Sequence, residues 1–363
     1  MTTAADNQRV WIDGAFGEGG GQILRTSVSL AALTGKTVEI ANIRARRSKP
    51  GLQAQHLTSV RAAAALCNAT LHGDDLGSSF LRFLPGAPVP HAHFDIDVAA
   101  ARGGASAGAT GLVAQTMLVP MAFLPGPMTS ATILGGTHVP MAPPTDYIEA
   151  VYAPMLRRMG IEARLTYTRA GFYPRGGGAI HLEVQAGRPG TPVDCTERGK
   201  LKRLRVFLVT SQLPDHVAAR GREAALKGLA GYGVEVAVEA RDLPSHGAGA
   251  AVVIAAECEI GMGGWTSLGE RGKPMERVVE EAVREFKHWF ASGAGVDAHL
   301  ADQLALPCAL IPQESRWTTP EITEHLRTVL WVAQQFLPIE YALEPRPDGS
   351  GLVTVRGVAL PAR

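Results

Sequence analysis

The chain has 363 residues, 46% apolar and 19% charged, with a formal net charge of +1. It is long and apolar enough for a large core and more than one folding unit. Near-zero net charge excludes a globally basic polyanion binder, so any polyanion site must be a local patch. Cys67, Cys195, Cys258 and Cys308 lie far apart with no C-x-x-C pair, which argues against a zinc knuckle or a disulfide scaffold and suits a reducing compartment. Asp6 and Asn7 stand where a secretory leader needs apolar residues. The longest apolar run, 112–124, is too short to span a bilayer and carries Gln115 and Pro120. We expect a cytoplasmic protein with no membrane contact.

Residues 10–13 predict a strand, and 22–33 a helix, because Ile23, Leu24, Val28, Ala31 and Ala32 recur at helical spacing. Between them lies F-G-E-G-G-G-Q-I-L-R (16–25). Glycines ahead of a helix N-terminus let backbone N–H groups approach an anion closely. The segment reads either as a phosphate cradle carrying one acid, Glu18, and one base, Arg25, or as a tight turn. It is not a Walker loop, since no Gly-Lys-Ser/Thr follows, and Gln22 takes the last glycine's place in G-x-G-x-x-G.

A strand is expected at 37–42 and a helix at 55–67. The stretch 40–73 has no Asp or Glu but holds Arg44, Arg46, Arg47, Lys49 and Arg61. Such a stretch beside a glycine cradle suits phosphate, or it is a solvated loop. Strands at 70–72 and 80–84 complete the order strand, helix, strand, helix, strand, strand. The order returns. His91-Ala-His93-Phe-Asp95-Ile-Asp97 has the H-x-H-x-D look of metallohydrolases, but it alternates with Phe94, Ile96 and Val98 and lacks partner ligands, so it reads as a half-exposed strand. A helix at 111–123, a strand at 130–135, a helix at 145–159 opened by Pro143-Pro144, and strands at 163–167 and 179–184 follow. The order returns again with helices at 296–306 and 320–336, the latter with Thr319 as N-cap and Pro320 at its first position. Strands at 339–344 and 352–358 close it.

The second helices of the first two units end about 92 positions apart, and those of the second and third about 178 apart. The excess is one further domain. We expect an α/β (α+β) fold of three βαβαββ-type repeats, with an insertion splitting the third. The large domain comprises 1–196 and 292–363, and the insert 197–291. The insert is charge-rich, whereas 103–145 contains no charged residue. Expected in the insert are strands at 204–209, 234–239 and 250–257 and helices at 214–231 and 275–290.

Three places could carry chemistry. His325 lies at the edge of the apolar stripe Ile322, Leu326, Val329, Leu330 and Ala333, and is either a nucleophile facing a cleft or a packing histidine. His299, Asp302 and Gln303 share one polar helix face. Gln115 is a single amide in an apolar helix.

Together these residues resemble the RNA 3′-terminal phosphate cyclase family. The resemblance covers nearly the whole chain. It rests on 17–25, on I-R-A-R-R-S-K-P-G-L-Q-A-Q-H (43–56), on G-F-Y-P-R-G-G-G (171–178) and on H-L-A-D-Q (299–303). It implies three repeats plus a small thioredoxin-like insert. It also implies that a histidine attacks the α-phosphorus of ATP, that AMP passes to an RNA 3′-phosphate, and that the 2′-OH then closes a 2′,3′-cyclic phosphate. The nucleophile falls on His325. Gln115, His299, Leu300, Ala301, Asp302 and Gln303 fall at ATP-site positions, with Pro143 and Tyr147 as adenine neighbours. Glu18 falls where a divalent metal, Mg²⁺ or Mn²⁺, is held beside the phosphates. Arg25, Arg44, Arg47 and His56 fall at phosphate- and RNA-contact positions. Around His325 the chain departs from the family pattern, with Glu324 and Val329 in place of a small residue and an Asn. Two other readings share the architecture: a non-catalytic ribosome-biogenesis relative, which lacks the histidine, and an enolpyruvyl transferase, which has no use for the adenylation motifs.

Overall fold

The computed structural model describes residues 9–90, 92–100 and 107–361. The first unit runs β1 (Arg9–Asp13), α1 (Gly21–Thr34), β2 (Thr37–Ala41), α2 (Ala54–Leu66), β3 (Thr70–His72), β4 (Leu81–Leu84). Its sheet has the order β1-β2-β4-β3, with β1 and β2 parallel and the rest antiparallel. The second unit runs β5 (His93–Asp97), α3 (Thr110–Ala122), β6 (Met128–Gly135), α4 (Thr145–Tyr147), α5 (Ala153–Met159), β7 (Ala163–Arg169), β8 (Gly178–Gln185), and its order β5-β6-β8-β7 is the same.

β9 (Asp194–Cys195) begins a third sheet, and the chain then leaves it. It passes through β10 (Leu201–Ser211), α6 (Asp215–Gly228), β11 (Val236–Asp242), β12 (Gly249–Cys258), β13 (Met262–Leu268) and α7 (Met275–Ser292), whose strands form a sheet of their own, β11-β10-β12-β13. It returns with α8 (Ala298–Cys308), β14 (Glu314–Thr319), α9 (Glu324–Phe336), β15 (Glu340–Pro345) and β16 (Gly351–Arg356). The third sheet, β15-β16-β14-β9, repeats the order of the first two, because β9 pairs parallel with β14 across the whole insertion.

Residues alternate in and out along the strands of the three repeated sheets, as in β2 and β8, so each of these sheets has one face on the core and a more exposed face opposite. The helices fill the middle. α1 packs against α2, α3 and α9, and α8 against α9. α3 is apolar nearly all round and is accordingly buried on nearly all sides, and α1 is buried almost as completely although it carries small polar residues such as Ser27 and Ser29. The inserted sheet is covered on both faces. Leu204, Val206 and Leu208 face a cluster with Phe286 and Trp289, whereas Phe207, Val253 and Ala255 belong to the main core. That explains the unbroken apolar run of β12.

Several elements differ from expectation. The helix over 145–159 is interrupted by a π-helical turn, Ile148–Tyr152. α9 begins at Glu324 and its N-cap is Thr323, whose Oγ1 accepts from Leu326 N at 3.0 Å, while Thr319 ends β14 instead. β9, β13 and β14 are additional strands. β14, E-S-R-W-T-T, buries Ser315 and Trp317 between two partners that lie far away in sequence. Of the H-x-H-x-D stretch, His93 lies on β5 and His91 falls outside the described residues. Among the described residues no His, Cys, Asp and Glu side chains cluster in threes for a metal, and no helix is long and apolar enough to cross a membrane.

Candidate active site

The glycine-rich turn after β1 lies on α9. Phe16 stacks on Trp331 of α9, with ring centroids 3.8 Å apart and planes 7° from parallel. Gly17 has a φ of +53° and faces α9 so closely that a Cβ there would stand 3.1 Å from Thr328 Oγ1. Only glycine meets both requirements without strain. This docking brings Glu18 Oε2 to 3.9 Å from Nε2 of His325. On the other side of the ring, Asp302 Oδ2 of α8 stands 3.9 Å from Nδ1. The imidazole thus lies between two carboxylates supplied by two other elements. Thr323 joins α8 to α9: its hydroxyl donates to Asp302 Oδ1 at 2.6 Å while its oxygen caps α9.

Burial, together with the nearby Arg25 and Arg47 guanidinium groups, outweighs the Glu18 charge and holds the His325 imidazolium below the ordinary histidine range. The neutral ring, with a lone pair on one nitrogen, is therefore the favoured form at pH 7. The Asp302 carboxyl is pushed up to about 8 by burial, with the charges of Asp297, Glu321 and Glu18 adding and the Thr323 hydrogen bond opposing.

A basic group flanks this ring. Arg47 Nη2 donates to Glu18 Oε2 at 2.8 Å, and Arg46 to the Gly17 carbonyl at 3.3 Å. Arg44 donates to the carbonyls of Lys49 and Gly51. Arg25 and His56 crowd over the start of α1, where a Cβ on Gly21 would stand 2.6 Å from His56 Nε2 and 2.8 Å from Arg25 Nη1. Gln53 N–H donates to His56 Nδ1 at 3.2 Å, which leaves the ring hydrogen on Nε2. Burial, then the charges of Arg25 and Arg44, holds the His56 imidazolium down to about 3. Burial also lowers Arg25 to about 10. A guanidinium desolvated in this way is a group that a nearby anion would stabilise.

The amide positions behave differently from the rest. Gln115 Nε2 on α3 and Gln303 Oε1 on α8 are buried without hydrogen-bond partners, and so is Gln22 Nε2 on α1. Such orphans cost about 1–3 kcal/mol each unless a ligand meets them. His299 is exposed, whereas Leu300 and Ala301 are wholly buried in the main core and offer the site no side chain. Tyr147 is buried too, with its hydroxyl on Asp297. The Pro143 carbonyl lies over Gly111 at the start of α3, one turn before Gln115. Among the described residues no hydrogen bond joins Gln115 or Pro143 to the His325 cluster. Thr323, Gln22 and Asp297 were not singled out from the sequence. Only Gln22 left a signal, as the residue that breaks the glycine fingerprint.

The sequence model of the family described as RNA 3′-terminal phosphate cyclase matches residues 16–343. Curated relatives carry that name. One from Methylococcus capsulatus is 45% identical over 95% of this chain and 96% of its own length. One from Nostoc punctiforme is 44% identical over 90% and 93%. One from Pyrobaculum neutrophilum is 43% identical over 97% and 99%. The match takes in the glycine-rich turn, the basic stretch and the helix of His325, so the chain belongs to the RNA 3′-terminal phosphate cyclase family.

Proposed function

We propose that the chain converts an RNA 3′-terminal phosphate to a 2′,3′-cyclic phosphate in an ATP-dependent reaction through a covalent histidine–AMP intermediate. The observation that carries the reading is the neutral His325 held between Glu18 and Asp302 beside a cluster of arginines. The relatives' shared name supports the overall reaction.

In the first step His325 Nε2 attacks the α-phosphorus of ATP, a P–N bond forms, the bond to the bridging oxygen breaks and pyrophosphate leaves. Asp302 faces Nδ1, and positive charge appearing on the ring would favour ionisation of its carboxyl, which burial otherwise keeps protonated near pH 7. In the second step an oxygen of the RNA 3′-phosphate attacks the same phosphorus and the P–N bond breaks. In the third, the 2′-OH attacks the RNA phosphorus, loses its proton and expels AMP. Each step builds charge on phosphoryl oxygens, which forked guanidinium groups at Arg25, Arg44 and Arg47 meet two at a time. Gln115 and Gln303 would satisfy their orphaned amides on the nucleotide.

A divalent cation, Mg²⁺ or Mn²⁺, fits the donor set. Such ions take one or two carboxylates and fill the remaining positions with substrate phosphates and water, and Glu18 is a half-exposed carboxylate beside His325. Glu18 would hold the ion, which when bound offsets charge on the nucleotide phosphates. Arg47, now paired with Glu18, would turn to a phosphate.

Incubation with α-labelled ATP and Mg²⁺ or Mn²⁺, followed by a denaturing gel, tests the reading. The expected result is a label that survives alkali and hydroxylamine and is lost in acid, together with cyclisation of a 3′-phosphorylated oligoribonucleotide. A chain that takes no label is not working by this route.

A further inference from the structure

Asp297, the N-cap of α8, is 2% exposed and does more than cap. Its Oδ1 accepts from His299 N at 2.9 Å and from Leu300 N at 3.0 Å on its own helix. Its Oδ2 accepts from Gly264 N of β13 at 3.0 Å. The Tyr147 hydroxyl of α4 donates to both oxygens at 3.2 and 3.1 Å. A serine or asparagine would cap a helix as well, and burying a carboxylate costs several kcal/mol. Burial holds this carboxyl above the ordinary carboxylate range, and donors arriving from three elements at once oppose that shift.

The junction is tightly packed. A Cβ on Gly264 would stand 2.8 Å from the Tyr147 ring and 2.7 Å from Val151 Cγ2. The preceding residue, Asp146, is also held from the inserted sheet, by the Arg241 guanidinium of β11, and accepts from the Tyr167 hydroxyl at 2.6 Å as well. The inserted sheet therefore grips α4 directly after Pro143-Pro144, and through the same junction grips the first turn of α8. That helix carries His299, Asp302 and Gln303.

We propose that Asp297 is a positioning residue for the nucleotide site, through which the inserted sheet sets α8, and hence Asp302 and Gln303, against α4. Asp297 touches no reacting atom in this arrangement; it acts through the helix it begins. The inference rests on the ATP-dependent reading above, and two separate measurements tell the two apart.

The full chain and three variants are compared: Asp297→Asn, which keeps one acceptor oxygen but loses the charge; Tyr147→Phe, which loses one hydroxyl; and Gly264→Ala, a change within β13. Affinity for a fluorescent ATP analogue is titrated below the melting temperature, and covalent labelling is followed separately. Analogue affinity should weaken about tenfold in Asp297→Asn and about threefold or more in each of the others. Asp297→Asn combined with Tyr147→Phe should be no weaker than Asp297→Asn alone, since both break one junction. Lowered melting temperatures with parental affinity in all variants would make Asp297 merely structural and overturn the proposal. If Asp297→Asn fails to fold, parental affinity in Tyr147→Phe and Gly264→Ala overturns it equally. Absence of covalent labelling in the parent counts against the reaction and leaves the affinity comparison to judge Asp297.

Discussion

His325 is set up by its neighbours more than by its own helix. Burial, with Arg25 and Arg47 nearby, holds the ring below the usual histidine range. Protonation removes the attacking lone pair, so the labelling rate should be flat above pH 6.5 with respect to this group and fall in more acidic solution, below the point where the parent ring protonates. His325→Asn should abolish labelling while leaving the melting temperature near parental, because the side chain is 43% exposed. Continued labelling of that variant would move the nucleophile elsewhere. Glu18 can be judged by Glu18→Gln. An amide fits a turn as well as a carboxylate does, but it removes a hard oxygen charge from the phosphate side. Labelling should fall about a hundredfold or more, half-saturation by Mn²⁺ should shift upward, and stability should change by no more than about 0.5 kcal/mol, as for exposed ion pairs. Unchanged metal dependence would return the 16–25 stretch to a structural turn. Asp302 is the costly member. Its carboxyl is pushed up to about 8 in the folded chain against an ordinary value near 3.8. The folded state then holds more protons than the unfolded one between these values, so the stability present below pH 4 is lost as pH rises through 8. Asp302→Asn cannot ionise. It should melt above the parent at pH 8.5, the gap closing toward pH 5, while ATP affinity falls. A variant no more stable than the parent at pH 8.5 would mean the carboxyl ionises without penalty.

At the scale of elements, the site is an alignment of three starts: the turn before α1, the first turns of α8 and of α9. Thr323 ties two of them, since one hydroxyl both caps α9 and donates to Asp302. Thr323→Val keeps the shape and loses both bonds. It should cost about 1 kcal/mol of stability and slow labelling about tenfold, and Thr323→Ser should restore both. Loss of stability with an unaltered labelling rate would confine Thr323 to capping. The expected cap at Thr319 failed for an instructive reason. Thr-Pro is a strong helix opening in isolation, but Thr319 is held in β14 opposite Gly351, and strand pairing outranked the local signal.

At the scale of the molecule, the inserted sheet shares its two faces between two cores. Phe207, Val253 and Ala255 would be bared if the rest of the chain unfolded around it. Calorimetry should therefore show one cooperative transition. Trp289→Ala, which empties a wholly buried site in the insert's own cluster, should lower that single transition by about 3–5 kcal/mol. Two resolved transitions, with only one moved by Trp289→Ala, would make the insert an independent unit.

Local chemistry in the chain was enough to reveal the mixed α/β class and most of the strand and helix order, and it suggested an insertion and residue types that a phosphoryl site would need. Helix and strand periods are set by neighbours a few positions away, and the apolar stripes of α7 and α9 carry them plainly. Glu18, Arg47 and His325 were visible as residue types at suggestive places, each with a bland alternative. Only the tertiary structure put Glu18 and Asp302 on opposite sides of the His325 ring, paired β9 with β14 across the insertion and gathered Tyr147, Gly264 and Asp297 at one buried carboxylate. Those contacts join segments from distant parts of the chain, and each must offset the entropy of closing a long loop and the cost of desolvating charge, which the packing around it supplies. No window of local sequence holds both partners of such a contact, so its existence is decided by how the three units and the insert pack.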